Sequence, residues 1–242
     1  MEIKPKIKFV TPYPRVAEMF PPVPAAKVLP DWWKRMPLDA IDGGGHRVMT
    51  AKRCPAMGEQ LSQGYVFSLW TDIRITTSEA DDHLSWESVW KEYDALEFFT
   101  PLASDGMPNV VGKHPWVMKF IFPWFIRATP GVSCTFLPLH YQEPDPRFTI
   151  LPGTFDCDVM PAINGVCTWD LREGDETIVS GTPIMTLVPF RRTQFRTEIE
   201  VVSMDEWKYL KTVGKNSSTA ARMVPGGYRA EVKRKGYPRH SV

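Results

Sequence analysis

At 242 residues the chain is long enough for one large domain or two small ones, and its formal net charge of +1 excludes any global electrostatic argument for nucleic acid or a membrane surface. Hydrophobic residues at 43% and charged residues at 24% are the proportions of a soluble globular protein with a substantial core. The four cysteines (Cys54, Cys134, Cys157, Cys167) contain no C-x-x-C pair, which excludes a metal knuckle of the usual spacing.

The opening MEIKPKIKFV lacks the apolar stretch of a secretion signal. The longest aromatic-apolar run, Val117 to Ile126, holds Lys119 and Pro123 and is too short to span a bilayer. The expected setting is therefore a reducing cytoplasm (the host's, if the protein is viral), with the cysteines as small core residues. The 23 prolines each fix φ and remove a donor, which favours many short strands and ordered loops over long helices.

In chain order, Ile7 to Val10 reads as an opening strand. Pro12 to Pro30 holds six prolines and reads as a stiff, extended arm wrapping the domain surface. Asp31 is placed to cap one helical turn through Met36, and Gly43-Gly44-Gly45 marks a flexible loop. Cys54 to Gln63 predicts a short helix, with Pro55 at its first position and Gly64 as its stop. Tyr65 to Thr76 is the clearest strand, with Asp72 and Arg74 sharing one face, and His83 to Trp90 is its expected partner. Trp116 to Arg127 and Val132 to His140 read as strands joined at Thr129-Pro130-Gly131. Phe148 to Leu151, Val166 to Leu171, Ile184 to Pro189 and Phe195 to Val202 complete the β-rich section. Ser203-Met204-Asp205-Glu206 fits a capping box, so a helix starts at Met204 with Trp207 and Leu210 on one face. From Trp207 to Val242 nine Lys and Arg stand against the single acid Glu231, a basic tail on a chain that is nearly neutral as a whole.

Several groups could carry chemistry. Asp156 and Asp158 alternate with Phe155 and Cys157, so at a strand end both carboxylates face one side. Two close acids can hold a cation or raise one pKa for acid/base work; the plainer role is a turn in which Asp accepts backbone N–H bonds. His140 ends an apolar strand, with Glu143 and Asp145 beyond it. The H-x-H or H-x-D of a β-strand metal site is missing, because residue 142 is Gln142. His140 could converge with Asp156 or Asp158 in space, or be a satisfied core or edge histidine. Cys54, at a helix start beside Lys52 and Arg53, has the surroundings that lower a thiol pKa; a buried structural cysteine is the default. Arg191, Arg192 and Arg196 can grip a phosphate or carboxylate bidentately, or pair with Glu198 and Glu200 on an exposed face. The basic tail, with Tyr228 and Tyr237, matches no nucleic-acid recognition motif and reads as a solvated helix. Trp32-Trp33 can anchor a partner or dock the arm on its own core.

Over Pro152 to Pro189 two glycine-led segments, Gly153-Thr154-Phe155-Asp156-Cys157-Asp158 and Gly181-Thr182-Pro183-Ile184-Met185-Thr186-Leu187, resemble the last part of the dUTPase/dCTP-deaminase jelly roll. There a G-x-I-D-x-D turn, which lines a sugar and base pocket, precedes a G-[DT]-x-I-x-Q-L strand. The chain departs from that pattern at Val159, where the family has an aromatic residue, and at Thr186, where it has Gln, and it has no serine-glycine phosphate loop. The resemblance implies the fold and not the activity. The whole chain is also similar to an uncharacterised family encoded in marine bacteriophages and some bacteria, through Pro30-Asp31-Trp32-Trp33-Lys34, Lys52-Arg53-Cys54-Pro55, Gly64-Tyr65, Trp70-Thr71-Asp72, Pro115-Trp116, Gly181-Thr182-Pro183 and Pro189-Phe190-Arg191-Arg192. That similarity implies a viral or environmental origin.

The expected fold is mainly β, of the α+β class: a single jelly-roll or β-clip-like domain over residues 1–242. An arm and short helix fill 1–36, a β core 64–202 and a basic helical tail 203–242. Two functions fit. The first is a small-molecule site in the β core, with Asp156, Asp158 and His140 as catalytic candidates and Arg191, Arg192 and Gly153 around an anionic or sugar-containing ligand. No cofactor is specified, although a divalent metal would suit the acids. The second is a non-enzymatic phage structural, assembly or accessory protein, in which arm and tail hold a homo-oligomer together. Neither reading involves a membrane, and nucleic acid is not an expected partner.

Overall fold

The computed structural model describes residues 5–78, 83–99, 117–223 and 227–235. The protein is mainly β, an α+β fold of open antiparallel sheets. Its contacts cluster into two compact units, Met1–Val28 with Gly64–Arg192 and Leu29–Gln63 with Thr193–Val242.

Strand β1 (Ile7–Val10) opens the chain. The proline-rich arm that follows is not uniformly extended. Pro14 starts helix α1 (Pro14–Met19), because an N–H is dispensable at the first helical position, and α1 buries Val16. Next come β2 (Val23–Pro24) and α2 (Asp31–Arg35), whose cap is Pro30, so Asp31 is the first helical residue rather than the cap. The glycine run predicted as a flexible loop is the turn of a hairpin between β3 (Asp39–Ile41) and β4 (Arg47–Met49). There the Asp42 carboxylate accepts the N–H groups of Gly44 at 2.9 Å and His46 at 2.8 Å, and Gly45 takes φ +82°. Helix α3 (Pro55–Ser62) matches its prediction, with Cys54 as cap and Pro55 first. Gly64 follows at φ +78°, and a β-carbon there would sit 2.3 Å from the Leu187 carbonyl oxygen, so only glycine fits.

The single strand predicted over Tyr65 to Thr76 is two, β5 (Tyr65–Ser68) and β6 (Ile73–Ser78), in different sheets. Side chains pin the break. The Trp70 indole N–H donates to the Ile121 carbonyl at 3.0 Å, and the Asp72 carboxylate accepts the Ser180 N–H at 2.7 Å. Asp72 and Arg74 therefore do not share a strand face; Arg74 pairs with Asp175 and Glu87 instead. Strand β7 (His83–Ser88) pairs with β6 as predicted. Then come β8 (Leu96–Phe98), β9 (Val117–Ala128) and β10 (Val132–Leu137); Trp116, predicted to open β9, lies outside the described residues. The remaining strands are β11 (Phe148–Ile150), β12 (Gly153–Phe155), β13 (Ala162–Trp169), β14 (Gly174–Ile178) and β15 (Pro183–Arg191). The strand predicted over Phe195 to Val202 does not form: the alternating pattern is present, but the segment has no strand partner among the described residues. Helix α4 (Met204–Met223) starts as predicted, with the Ser203 hydroxyl accepting the Glu206 N–H at 3.2 Å, and α5 (Gly227–Arg234) follows.

In the first unit, one sheet runs β1-β9-β13-β11 with β8 also on β9, a second runs β12-β10-β15-β5-β2, and a third runs β14-β6-β7. The first two meet across an aromatic core in which the rings of Phe67 on β5 and Phe122 on β9 lie 5.5 Å apart, edge to face. Pro123 is tolerated inside the central strand β9 because the β13 register shifts there, between Ala162 and Asn164, and no ladder bond is asked of it. In the second unit, Trp33 is buried and packs beside Gly58 of α3, while the Lys52 ammonium lies 5.6 Å from the centre of the Trp33 ring.

Candidate functional site

The acidic turn leaves β12 at Asp156 and is closed by the N–H groups of Val159 and Met160, which donate to the Asp156 carbonyl at 2.9 and 2.7 Å. Cys157 points inward, fully buried, and its thiol donates to the Val132 carbonyl at 3.2 Å. The two aspartates flank it and meet Arg192, the residue after β15. The Arg192 backbone is fixed first: its N–H donates to the Gly131 carbonyl at 2.8 Å. Its guanidinium then grips Asp158 at both oxygens, Nη1 to Oδ1 at 2.8 Å and Nη2 to Oδ2 at 2.6 Å, and reaches Asp156 Oδ1 with Nη1 at 2.8 Å. Two further groups complete the cluster. The Gly131 N–H donates to Asp158 Oδ2 at 2.7 Å, and the Ser133 hydroxyl donates to Asp156 Oδ1 at 2.6 Å while accepting Arg192 Nη1 at 3.1 Å.

This geometry sets the charges. The Ser133 hydroxyl, then Arg192, holds the Asp156 carboxyl below the usual carboxylate range. Arg192, then the Gly131 N–H, does the same for Asp158. The carboxylates in turn push the Arg192 pKa up. All three groups are ionised near neutral pH, so neither acid carries a proton to donate there. The arrangement is a bidentate clamp that ties together the β9–β10 turn, the acidic turn and the end of β15. Asp158, whose side chain is 11% exposed, is its enclosed member, and Asp156 at 52% is its solvent-facing one.

The other predicted site residues are placed as follows. Gly153 faces Phe136 across the β10–β12 ladder, and a β-carbon on it would lie 2.4 Å from the Phe136 ring, so the glycine makes room for that aromatic ring. Arg191 ends β15 opposite Val132, next to the clamp in sequence. His140 lies beyond the other end of β10. Ser133 and Leu137 are about 13 Å apart along that strand at about 3.3 Å per residue, so His140 follows the end of β10 opposite to the one that carries the clamp. Burial lowers the His140 pKa, which favours the neutral ring. Glu143, Asp145 and Gln142 line a separate cavity of about 280 Å³, where Asp145 is clamped by Arg147 at 2.7 Å. Among the described residues no three His, Cys, Asp or Glu side chains gather closely enough to hold one metal ion. The cations beside Cys54 are engaged elsewhere, Arg53 with Asp39 at 2.7 Å and Lys52 with the carbonyls of Trp33 and Lys34.

Gly131 and Ser133 were not anticipated as members of the cluster. The turn at Thr129-Pro130-Gly131 was a legible signal, but which carboxylate it would face depends on the β10–β15 register, which local pattern does not encode.

A second feature lies past the clamp. Phe195, Ile199 and Val201 are 86%, 95% and 96% exposed, and α4 continues the exposure with Trp207 and Leu210 at 55% and 47%. An ion pair within the extended stretch, Arg196 with Glu198 at 3.2 Å, is itself solvent-exposed. No protein-family model matches the chain, and no curated protein matches it in sequence. No helix among the described residues is long and apolar enough to cross a membrane.

Proposed function

We propose that the protein is a non-enzymatic assembly subunit, of the kind a phage uses as a structural or accessory component, whose C-terminal segment docks on a neighbouring copy. The observation that carries this reading is the run from Phe195 to Val201. Its alternation is that of a half-buried strand, yet its apolar side chains stand almost wholly in solvent. A segment with strand pattern and no strand partner is suited to pairing with a sheet edge of another chain, where main-chain bonds supply affinity and alternate side chains supply register. Trp207 and Leu210 of α4 are exposed as well, and aromatic anchors are what well-packed interfaces use. Acid/base chemistry at the acidic turn has less support, because the two carboxylates and Arg192 satisfy one another.

Sedimentation velocity on the purified chain tests this. The wild type sediments as a closed oligomer, and the Ile199→Lys, Val201→Lys double variant sediments as a folded monomer with an unchanged circular-dichroism spectrum. Both substitutions are at exposed positions, so loss of folding is not the expected outcome. A wild type that stays monomeric at high micromolar concentration would sink the reading.

A further inference from the structure

Away from the acidic turn, the first unit carries a cleft of about 500 Å³ between α1, the break joining β5 to β6, and the residues that follow β7. That volume is within the range of small-molecule sites. Its wall is aromatic: Phe20, Trp70 and Trp90 line it. Those rings are held from behind. Trp70 and Trp90 pack edge to face at 5.4 Å, Tyr13 packs against Trp90 at 5.7 Å, and Tyr93 against Trp70 at 5.8 Å, so the wall is preformed.

The charges on this cleft differ from those of every ion-paired cluster described above. Arg15, Lys91 and Glu92 line it, all three solvent-exposed, and among the described residues none of them is held in an ion pair. Asp72, the other acid on the lining, is already committed: the Ser180 N–H and hydroxyl hold it and keep its pKa low. The Trp90 indole N–H is enclosed and has no acceptor among the described residues, so this wall also carries an unmet hydrogen-bond donor.

We infer that this cleft is a binding site for a small organic anion, a flat aromatic ring bearing a phosphate or carboxylate. The ring lies against Phe20 and Trp90, the partly exposed rings of the lining, and the anionic group is taken by Arg15 and Lys91. The aromatic wall supplies area without specificity for charge. The two unpaired cations outnumber the one unpaired acid, Glu92, and so supply the sign, and Arg15 supplies planar bidentate geometry. A cationic or neutral ring would gain only the first contribution. The inference does not rest on the assembly reading, since none of the residues named lies between Phe195 and Leu210.

The probe is 1-naphthyl phosphate, titrated calorimetrically into the full-length protein, with 1-naphthol and inorganic phosphate as its two halves. The expected result is one saturable site per chain, with tryptophan emission quenched in parallel and each half binding at least about tenfold more weakly, the factor expected for losing one charged contact. The Arg15→Ala, Lys91→Ala double variant should weaken naphthyl phosphate at least about tenfold and leave 1-naphthol unchanged. Val89, 81% exposed on the cleft lining, offers a second variant: Val89→Trp fills the opening and should weaken both aromatic probes without unfolding the chain. No saturable binding, binding unchanged in the double variant, or inorganic phosphate binding as tightly as the ester would each overturn the inference.

Discussion

Two charge clusters on the same unit behave in opposite ways. At the acidic turn, one arginine and two aspartates are close in space and every charge is answered by another or by a backbone N–H. At the cleft beside α1, two cations and Glu92 stand at an aromatic wall with no ion pair among the described residues. The first cluster looked like the site in the sequence because its members are near one another in the chain. The second is assembled from Arg15, Trp70, Trp90 and Lys91, which are not. A charge that already has a partner consolidates the fold; a charge without one is available to a ligand.

The contrast can be broken by substitution. Gly153→Val should have the largest effect, a loss of about 1–3 kcal/mol in denaturant unfolding, since the new side chain must displace the Phe136 ring in a packed ladder. A smaller loss would mean that the β12 edge relaxes freely and that the clamp beyond it is not rigidly positioned. Asp158→Ala should come next, lowering the thermal midpoint by several degrees. It removes the bidentate partner of Arg192 and strands the Gly131 N–H, whereas Asp156→Ala, at the exposed member, should shift the midpoint distinctly less. Equal effects would contradict the view of Asp158 as the enclosed anchor.

Acid provides a third test. Both aspartates have folded-state pKa values below their unfolded ones, so their stabilisation is fully present above the unfolded value of about 3.9 and is lost as pH falls through the folded values. Unfolding followed from pH 6 down to pH 2 should show a stability decline below about pH 4 that is shallower in Arg192→Ala, which has already lost the clamp. The smallest effect belongs to the cleft. Arg15→Ala, at an exposed and unpaired side chain, should change stability by no more than about 0.5 kcal/mol. A large loss there would mean that the cleft cations support the fold, and the distinction between the clusters would fall.

Much of the fold was legible because it is written locally. The capping box at Ser203, the Pro55 start and Gly64 stop of α3, and the β6–β7 pairing follow from short-range chemistry, and each matches the structure. The misses have long-range causes. Tyr65 to Thr76 is uniformly strand-like in composition, and what breaks it is Trp70 reaching Ile121 and Asp72 reaching Ser180. Phe195 to Val202 has the pattern of a strand, but a pattern cannot supply the partner a strand requires. The proline content of the arm points to an extended segment, yet Pro14 suits the first position of a helix as well as it suits a linker. At the candidate site, the alternation of Asp156 and Asp158 did put both carboxylates on one group. That the group would be Arg192 depended on the β10–β15 register, and that the cleft would gather Arg15 and Lys91 depended on sheets meeting in three dimensions.

The pairing of β1 with β9 and of β5 with β15 has a kinetic consequence. Ile7 lies opposite Ala128 and Tyr65 opposite Leu187, so both facing sheets are stitched by residues from distant parts of the chain. During synthesis neither sheet can close until its late strand has left the ribosome, and the early strands wait with open edges. Folding dominated by such distant pairings takes milliseconds to seconds rather than microseconds. The nascent chain therefore has a long interval in which the β5 edge is exposed, and that interval ends only when Leu187 and its neighbours arrive.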